Sequence, residues 1–452
     1  MTSNLLFKMN LQSKIRFNPI LILGFATFLT QIPTFYGEDI VNARNNYLTG
    51  AKTDFWGGVS TLIYAHIPSV LVRWQVWLAL IQITLATSGL IKLLNFKTNI
   101  VAKKIVTWLV AYSALLFSSQ MTRDGLMLSL LLFGFALLRT RLQKRSALTA
   151  LILPILVINF AMSFRPWLSL AIIPIILLMR KGSSKNISRI SVLILITTVS
   201  IAPALIEIAT AKSLALVKSY PEQQVMIMDS AASFCYTNNL ETGLQAEHAL
   251  ELFSKNTDFS KTACQLYRPD TWLSLTKAGN ASSAEVKTDF WLIQAGDSAK
   301  YKKLRSLWVK TITSDPVTYL QNKFVFGGKL LIGSDSRNVS FLTAQGKSAR
   351  LMAVFRIPYD LAISLHIYSL LAAIIILLYR PIRRLAKGLT TRLEIERSSI
   401  YLISAIISWL GLSSIAYIGS NGRYTYAISL LSITLYLSYR QQGEELGEIN
   451  GQ

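Results

Sequence analysis

Apolar runs recur along this chain, each closed by a group of Lys and Arg or by a very short polar turn, and several are long enough to cross a bilayer. A crossing helix needs about 20 residues, fewer where interfacial aromatics or snorkelling bases cap its ends. On that criterion the pattern predicts about ten spans. They run from Pro19 to Tyr36, Trp74 to Leu94, Ile105 to Met121, Thr122 to Leu138, Leu148 to Phe164, Trp167 to Met179, Ile190 to Thr210, Ala353 to Tyr379, Ile400 to Ile418 and Tyr424 to Tyr439. Two hydrophilic pieces interrupt them: a first loop from Gly37 to Arg73, and a stretch from Ala211 to Met352 long enough to be a small domain. Within the second, helical periodicity covers Glu222 to Phe234 and Tyr301 to Phe324, with breaks near Gly279 to Ser283. The expected fold class is an all-α polytopic membrane protein. It has an N-terminal transmembrane module (1–210, about seven helices), a mainly helical extracytoplasmic domain (211–352) and a C-terminal transmembrane module (353–452, about three helices).

Orientation follows from the connecting charges. Lys8, Lys14 and Arg16, then Lys92 to Lys104, Arg139 to Arg145, Arg180 to Arg189 and Arg380 to Arg397 all fall on one side of a ten-span arrangement. By the positive-inside rule that side is cytoplasmic, which puts both termini inside a plasma membrane and the two hydrophilic pieces outside. No small-x-small site precedes Gly37, so the first span is expected to be retained and not cleaved as a signal peptide.

Composition agrees with this pattern. The 452 residues are 52% hydrophobic and 15% charged, with mean hydropathy +0.42, a balance that a water-soluble domain has difficulty hiding. In a soluble protein the formal net charge of +23 would point to nucleic acid; here the bases punctuate apolar runs, so they read as topology signals and contacts to membrane lipids, with no nucleic-acid partner. Cys235 and Cys264 both fall in the long hydrophilic stretch, where an oxidising compartment favours a disulfide. His66, His248 and His366 are scattered and read as solvated or locally hydrogen-bonded imidazoles. Asn280-Ala281-Ser282 and Asn338-Val339-Ser340 match the glycosylation triplet, which matters only in a secretory eukaryotic setting.

Candidate chemistry gathers at the predicted outer ends of the spans. Glu38 and Asp39 open the first loop directly after a span, followed by Asn42, Arg44, Tyr47, Asp54, Trp56 and His66. A carboxylate held at a membrane surface is partly desolvated, which makes it a better general base; the alternative is that Glu38 and Asp39 complement the N-terminus of a short helix from Ile40 to Tyr47. Asp124 sits in the turn Thr122-Arg123-Asp124-Gly125 and is either a second acid over the same cleft, an N-cap, or half of an Arg–Asp pair. Arg123, Arg165 and Arg423 lie in very short turns and Arg356 lies where the hydrophilic stretch returns to the membrane. Guanidinium groups at such positions fit a phosphate-bearing ligand or snorkel to lipid phosphates, and Glu207 and Asp360 are available as partners. A divalent cation at Glu38, Asp39 and Asp124 is compatible with these oxygen donors, but such sites follow no spacing rule, so the sequence names no cofactor.

On these residues the chain resembles the GT-C superfamily of integral membrane glycosyltransferases. The likeness is carried by the acid-bearing first loop with Glu38 and Asp39, by Arg123-Asp124-Gly125 followed by Leu126-Met127-Leu128, and by Gly422-Arg423-Tyr424 before an apolar span. The stretch from Trp308 to Tyr319, with Asp315-Pro316, resembles the helix that leads such enzymes from the outer domain back toward the membrane. The resemblance implies an inverting transfer of a sugar from a polyprenyl-phosphate donor to a glycan or lipid-linked acceptor, in assembly of an envelope or surface polysaccharide. It implies Glu38 or Asp39 as catalytic base and Asp124 as support for the base or the acceptor. Arg423 with Tyr424, together with Arg123, Arg165 and Arg356, is implied around the carrier phosphate. Three other classes fit the same layout less fully: a polymerase or ligase of lipid-linked oligosaccharides, which needs no first-loop carboxylate; a transporter or flippase, which usually carries polar groups at the bilayer midplane; and a non-catalytic organiser.

Overall fold

The computed structural model describes residues 19–30, 38–50, 52–54, 57–67, 74–94, 101–119, 122–143, 151–182, 189–253, 263–265, 267, 293–332, 404–405, 407–408, 427 and 430–438. The span expected from Ala353 to Tyr379, most of that from Ile400 to Ile418, and Asn280, Asn338, Arg356, Asp360, His366, Arg423 and Tyr424 lie outside the described residues. Among the described residues the architecture is all-α, and the β contact present is an isolated parallel bridge between Thr53 and Val217.

The helices are α1 Pro19–Thr30, α2 Glu38–Leu48, α3 Gly58–His66, α4 Trp74–Leu93, α5 Val101–Ser119, α6 Arg123–Gln143 and α7 Ile152–Met162. A 3-10 turn, Pro166–Ile172, then leads into α8 Ile173–Gly182, α9 Arg189–Ser213, α10 Gln223–Tyr236, α11 Leu240–Glu251, α12 Ser298–Ser314 and α13 Pro316–Ile332. Two of them, Trp74–Leu93 and Val192–Ser213 within α9, are long and apolar enough to cross a membrane; Pro19–Leu29, Lys104–Ser119, Ile152–Met162 and Pro166–Leu177 are shorter apolar segments.

Helices α1 and α4 to α9 pack into one bundle around α4 and α6. The backbones of these two touch at Gly89, where a Cβ would stand 2.6 Å from the Leu132 carbonyl carbon, so the absence of a side chain sets the crossing. They run parallel: Arg139 near the end of α6 donates to the carbonyls of Leu93 (2.7 Å) and Lys92 (3.3 Å) at the end of α4, capping its last turn with a cation. Arg139 also donates to Ser438 Oγ, which brings the end of the helix covering 430–438 to the same end of the bundle.

The bundle core is mainly apolar, with Leu90, Leu115, Leu131 and Phe135 fully buried, but it also encloses polar groups and leaves apolar stripes on its outer faces. Gln82, Ser118, Ser119, Ser129, Asn159 and the Asp124–Arg165 pair are buried, whereas Ile201, Leu205 and Ile208 of α9 are 53%, 59% and 64% exposed. Leu21, Ile22, Phe25 and Leu29 form a similar outward stripe on α1. Hydrogen bonds to the preceding turn satisfy many of the inward hydroxyls, as with Ser129 Oγ to Gly125 O at 2.9 Å.

Helices α10 to α13 form a hydrophilic domain with its own core of Met226, Ile227, Met228, Leu250, Phe253, Ile293 and Leu304. A disulfide between Cys235, at the end of α10, and Cys264 closes a 29-residue separation in it. Asp297 caps α12 through the Lys300 amide (3.0 Å), and Asn239 caps α11 through the amides of Glu241 and Thr242. Phe326 of α13 is buried in the bundle core, so this helix joins the two regions.

Three expectations are corrected. The helical stretch from Tyr301 to Phe324 is two helices, because Pro316 lacks a backbone donor and Asp315 leaves helical geometry and accepts from the Thr318 amide at 3.0 Å, a new N-cap. The span from Trp167 to Met179 is not one α-helix: Pro166 opens a 3-10 turn, and the ten-residue α8 after it is roughly 15 Å long. The span expected from Thr122 to Leu138 runs further, as the 21-residue helix Arg123–Gln143.

Candidate functional site

Helix α6 starts with Thr122 as its cap, whose Oγ1 accepts from the Gly125 amide at 3.0 Å. That leaves Asp124 on the first turn, and its partner comes from 41 residues away. Arg165, at the turn between α7 and the 3-10 segment, donates Nε to Oδ1 at 3.0 Å and Nη2 to Oδ2 at 3.2 Å. Both residues are buried, and the planar fork matches the carboxylate with two parallel bonds. In this geometry Asp124 and Arg165 spend their charges on each other, which fixes the start of α6 against the end of α7. The Arg–Asp pair expected at this turn is present, with Arg165 as a cation.

Arg123 belongs to a neighbouring group. Glu207, near the end of α9, faces Arg123 and Asp54 electrostatically and accepts hydrogen bonds from the amides of Gly58 and of Val59 (3.0 Å). It thus caps α3 from outside the loop that contains it, a negative charge at the positive end of a helix. The approach requires small residues: Gly57 has φ 86°, and a Cβ on Gly58 would meet the Ala211 backbone nitrogen at 2.5 Å. Glu207, expected as a salt-bridge partner, is chiefly a helix cap.

The first loop is built around Arg44. Its guanidinium donates to the carbonyls of Tyr64, Ala65 (3.2 Å) and Ile67 (3.2 Å), closing the end of α3, and it stacks on the Trp74 ring at 5.0 Å. Helix α2 packs on α3, and Glu38 and Asp39 form its first turn, so the expected short helix is present with the two acids at its N-terminus. The loop, the starts of α4 and α6, and the ends of α7 and α9 therefore share one end of the bundle, opposite the end where Arg139 caps α4. Of the predicted site residues, Arg123, Asp124 and Arg165 are brought to that end, as is the helix that carries Glu38 and Asp39.

The hydrophilic domain holds a second buried charge group. Asp229 on α10 accepts from Lys323 Nζ at 2.7 Å and from Trp308 Nε1 at 3.1 Å. Burial pushes its carboxyl above the usual range, against the opposing pull of Lys323 and Trp308. Burial likewise raises the phenol of Tyr319, whose ring lies 5.3 Å from Lys323 Nζ, with the Asp229 charge adding to it. His66 bonds the Leu62 carbonyl through Nδ1 at 2.8 Å and His248 bonds Glu251 at 3.1 Å, the local roles expected of them. Among the described residues no three His, Cys, Asp or Glu side chains are grouped to hold a metal ion.

Sequence reasoning missed the Glu207 cap, the Asp229 group and the hydrogen bonds of Asp54. Each depends on pairing across a distance that no local motif encodes; the usable signal was a lone acid inside an otherwise apolar helix, which Glu207 provides. No protein family, curated protein or solved structure was found to match the chain.

Proposed function

We propose that this chain is a multi-pass protein of the plasma membrane with about ten spans, both termini cytoplasmic, that transfers a sugar from a polyprenyl-phosphate donor to a glycan or lipid-linked acceptor on the outer face. The membrane assignment is supported by the apolar stripes on the outer faces of the bundle. Exposed stripes such as Ile201, Leu205 and Ile208 would be costly in water at roughly 25 cal/mol per Å² and are at no cost in lipid. The single observation that carries the catalytic proposal is the sharing of one bundle end by the α2 acids, Arg123 and the Asp124–Arg165 pair.

In this mechanism Glu38 or Asp39 accepts the proton of an acceptor hydroxyl as its oxygen bonds to the anomeric carbon. The bond from that carbon to the phosphate oxygen breaks, the electron pair leaves with polyprenyl phosphate, and configuration inverts without a covalent enzyme intermediate. Arg123, with Arg423 beyond the described residues, stabilises the charge that builds on the phosphate. Asp124 and Arg165 hold the start of α6 against the end of α7 beneath it, and the hydrophilic domain forms the acceptor side.

The test uses the full chain in nanodiscs supplied with polyprenyl-phosphate [³H]hexoses and a mixture of lipid-linked oligosaccharides. Passage of label into an acceptor with stoichiometric release of polyprenyl phosphate is expected. In sealed proteoliposomes, movement of intact donor across the bilayer without release of the carrier would instead establish a flippase and overturn the proposal.

A further inference from the structure

The connector between α9 and the hydrophilic domain is gripped by the first loop. Val217 donates to the Lys52 carbonyl at 2.7 Å and accepts from the Asp54 amide at 3.0 Å, which makes the Thr53–Val217 bridge. Asp54 Oδ1 accepts from both the amide and the hydroxyl of Ser219, each at 2.7 Å. Glu207, just before the connector, is bound by Gly58 and Val59 as described above. On its far side the connector passes the grip onward: Gly296 donates to the Lys218 carbonyl at 2.8 Å, and the Gln223 side chain exchanges two hydrogen bonds with the backbone of Ile293, ahead of α12.

The backbone of the connector is strained at both ends of the grip. Ala215 and Tyr220 have φ of 51° and 52°, a region that costs residues bearing a Cβ roughly 1 kcal/mol or more. Ala215 occupies the left-handed position of a Schellman ending of α9, with Leu216 bonded to the Ala211 carbonyl and Ala215 to that of Lys212, both at 3.0 Å; glycine is the usual residue there. Such conformations persist only when surrounding contacts over-determine them.

From this juxtaposition we infer that Asp54 is a positioning residue, whose carboxylate locks the hydrophilic domain to the loop that carries Glu38 and Asp39. Residues 52–54 and 57–59 are the clamp, and residues 215–220 are the strained hinge it holds. The clamp sets where the domain presents an acceptor relative to the α2 acids, so it rests on the transfer reaction proposed above. Asp54 itself touches no substrate in this assignment.

The experiment compares wild type, Asp54→Ala and Asp54→Asn in nanodiscs, by hydrogen exchange of the peptide covering 216–220 and by transfer kinetics. Asn retains the side-chain oxygen that accepts from Ser219, so Asp54→Asn is expected to keep both exchange protection and kinetics close to wild type. Asp54→Ala is expected to exchange at least tenfold faster at 216–220 and to raise KM for the acceptor with little change in KM for the donor. Ser219→Ala, which removes one of the two donors, is expected to fall between them. Unchanged protection in Asp54→Ala would overturn the clamp. Faster exchange with unaltered kinetics would overturn the positioning role, as would an Asp54→Asn that is inactive while fully protected, because that would mark a reacting acid. If wild type transfers no sugar, the functional proposal fails and exchange alone still judges the clamp.

Discussion

The bundle and the hydrophilic domain each bury a carboxylate against a cation, and they solve its cost differently. In the bundle, Arg165 grips Asp124 through two parallel bonds. In the hydrophilic domain, Asp229 receives one bond from a lysine and a second from Trp308, so three helices, α10, α12 and α13, meet at one carboxylate. A guanidinium is a rigid fork with a permanently held proton, whereas an ammonium is a point charge that leaves one carboxylate oxygen for another donor. The first arrangement pins two helix ends; the second ties together a domain that is also braced by a disulfide and an apolar core around Ile227, Leu250 and Leu304.

The comparison is broken most sharply by removing one cation at a time. Lys323→Met leaves Asp229 buried without its counter-ion and is expected to destabilise the hydrophilic domain by about 3–5 kcal/mol, whereas Asp229→Leu combined with Lys323→Met is expected to recover most of that loss. Denaturant unfolding followed by Trp308 fluorescence measures both; equal loss in the single and double variants would show that the pair is not the unit. Arg165→Lys keeps the charge in the bundle but discards the fork, and is expected to cost about 1.5–3 kcal/mol, the worth of one charged hydrogen bond. Thermal unfolding in detergent reads this, and a wild-type midpoint would mean that charge alone suffices.

Smaller effects sharpen the boundary between the regions. Ala215→Gly relieves the left-handed position at the junction and is expected to stabilise the chain by up to about 1 kcal/mol, seen as a raised unfolding midpoint. Asp315 is held below the usual carboxylate range, first by the Thr318 amide and then by the Thr237 hydroxyl. Because its folded value is depressed, the stability it contributes is present above an ordinary Asp value of about 4 and is lost as pH falls through the folded value. Asp315→Asn, which still offers an acceptor to Thr318, is expected to flatten that acid limb in the unfolding of the hydrophilic domain.

Helix positions in the first half of the chain were legible because apolar runs and basic punctuation encode them directly, as with Trp74–Leu93. The break at Asp315-Pro316 is written locally, as an N-cap residue followed by proline, yet the helical periodicity from Tyr301 to Phe324 reads straight through it. The pairing of Asp124 with Arg165 was not, because both positions carry adequate local alternatives, including Arg123 next door, and only tertiary packing of α6 on α7 chooses among them. The same holds for Glu207, whose acidic side chain is conspicuous in an apolar helix but whose partners are two backbone amides contributed by a loop about 150 residues earlier.

The account depends above all on the carboxylates that open α2. Replacing Glu38 and Asp39 together by Gln and Asn preserves size and hydrogen bonding while removing the base, so the rate of sugar transfer from a polyprenyl-phosphate hexose by the full chain in nanodiscs tests it most directly. A loss of about 10²–10⁴-fold, the usual contribution of a general base, is the predicted result. Transfer at the wild-type rate by the double variant would contradict it.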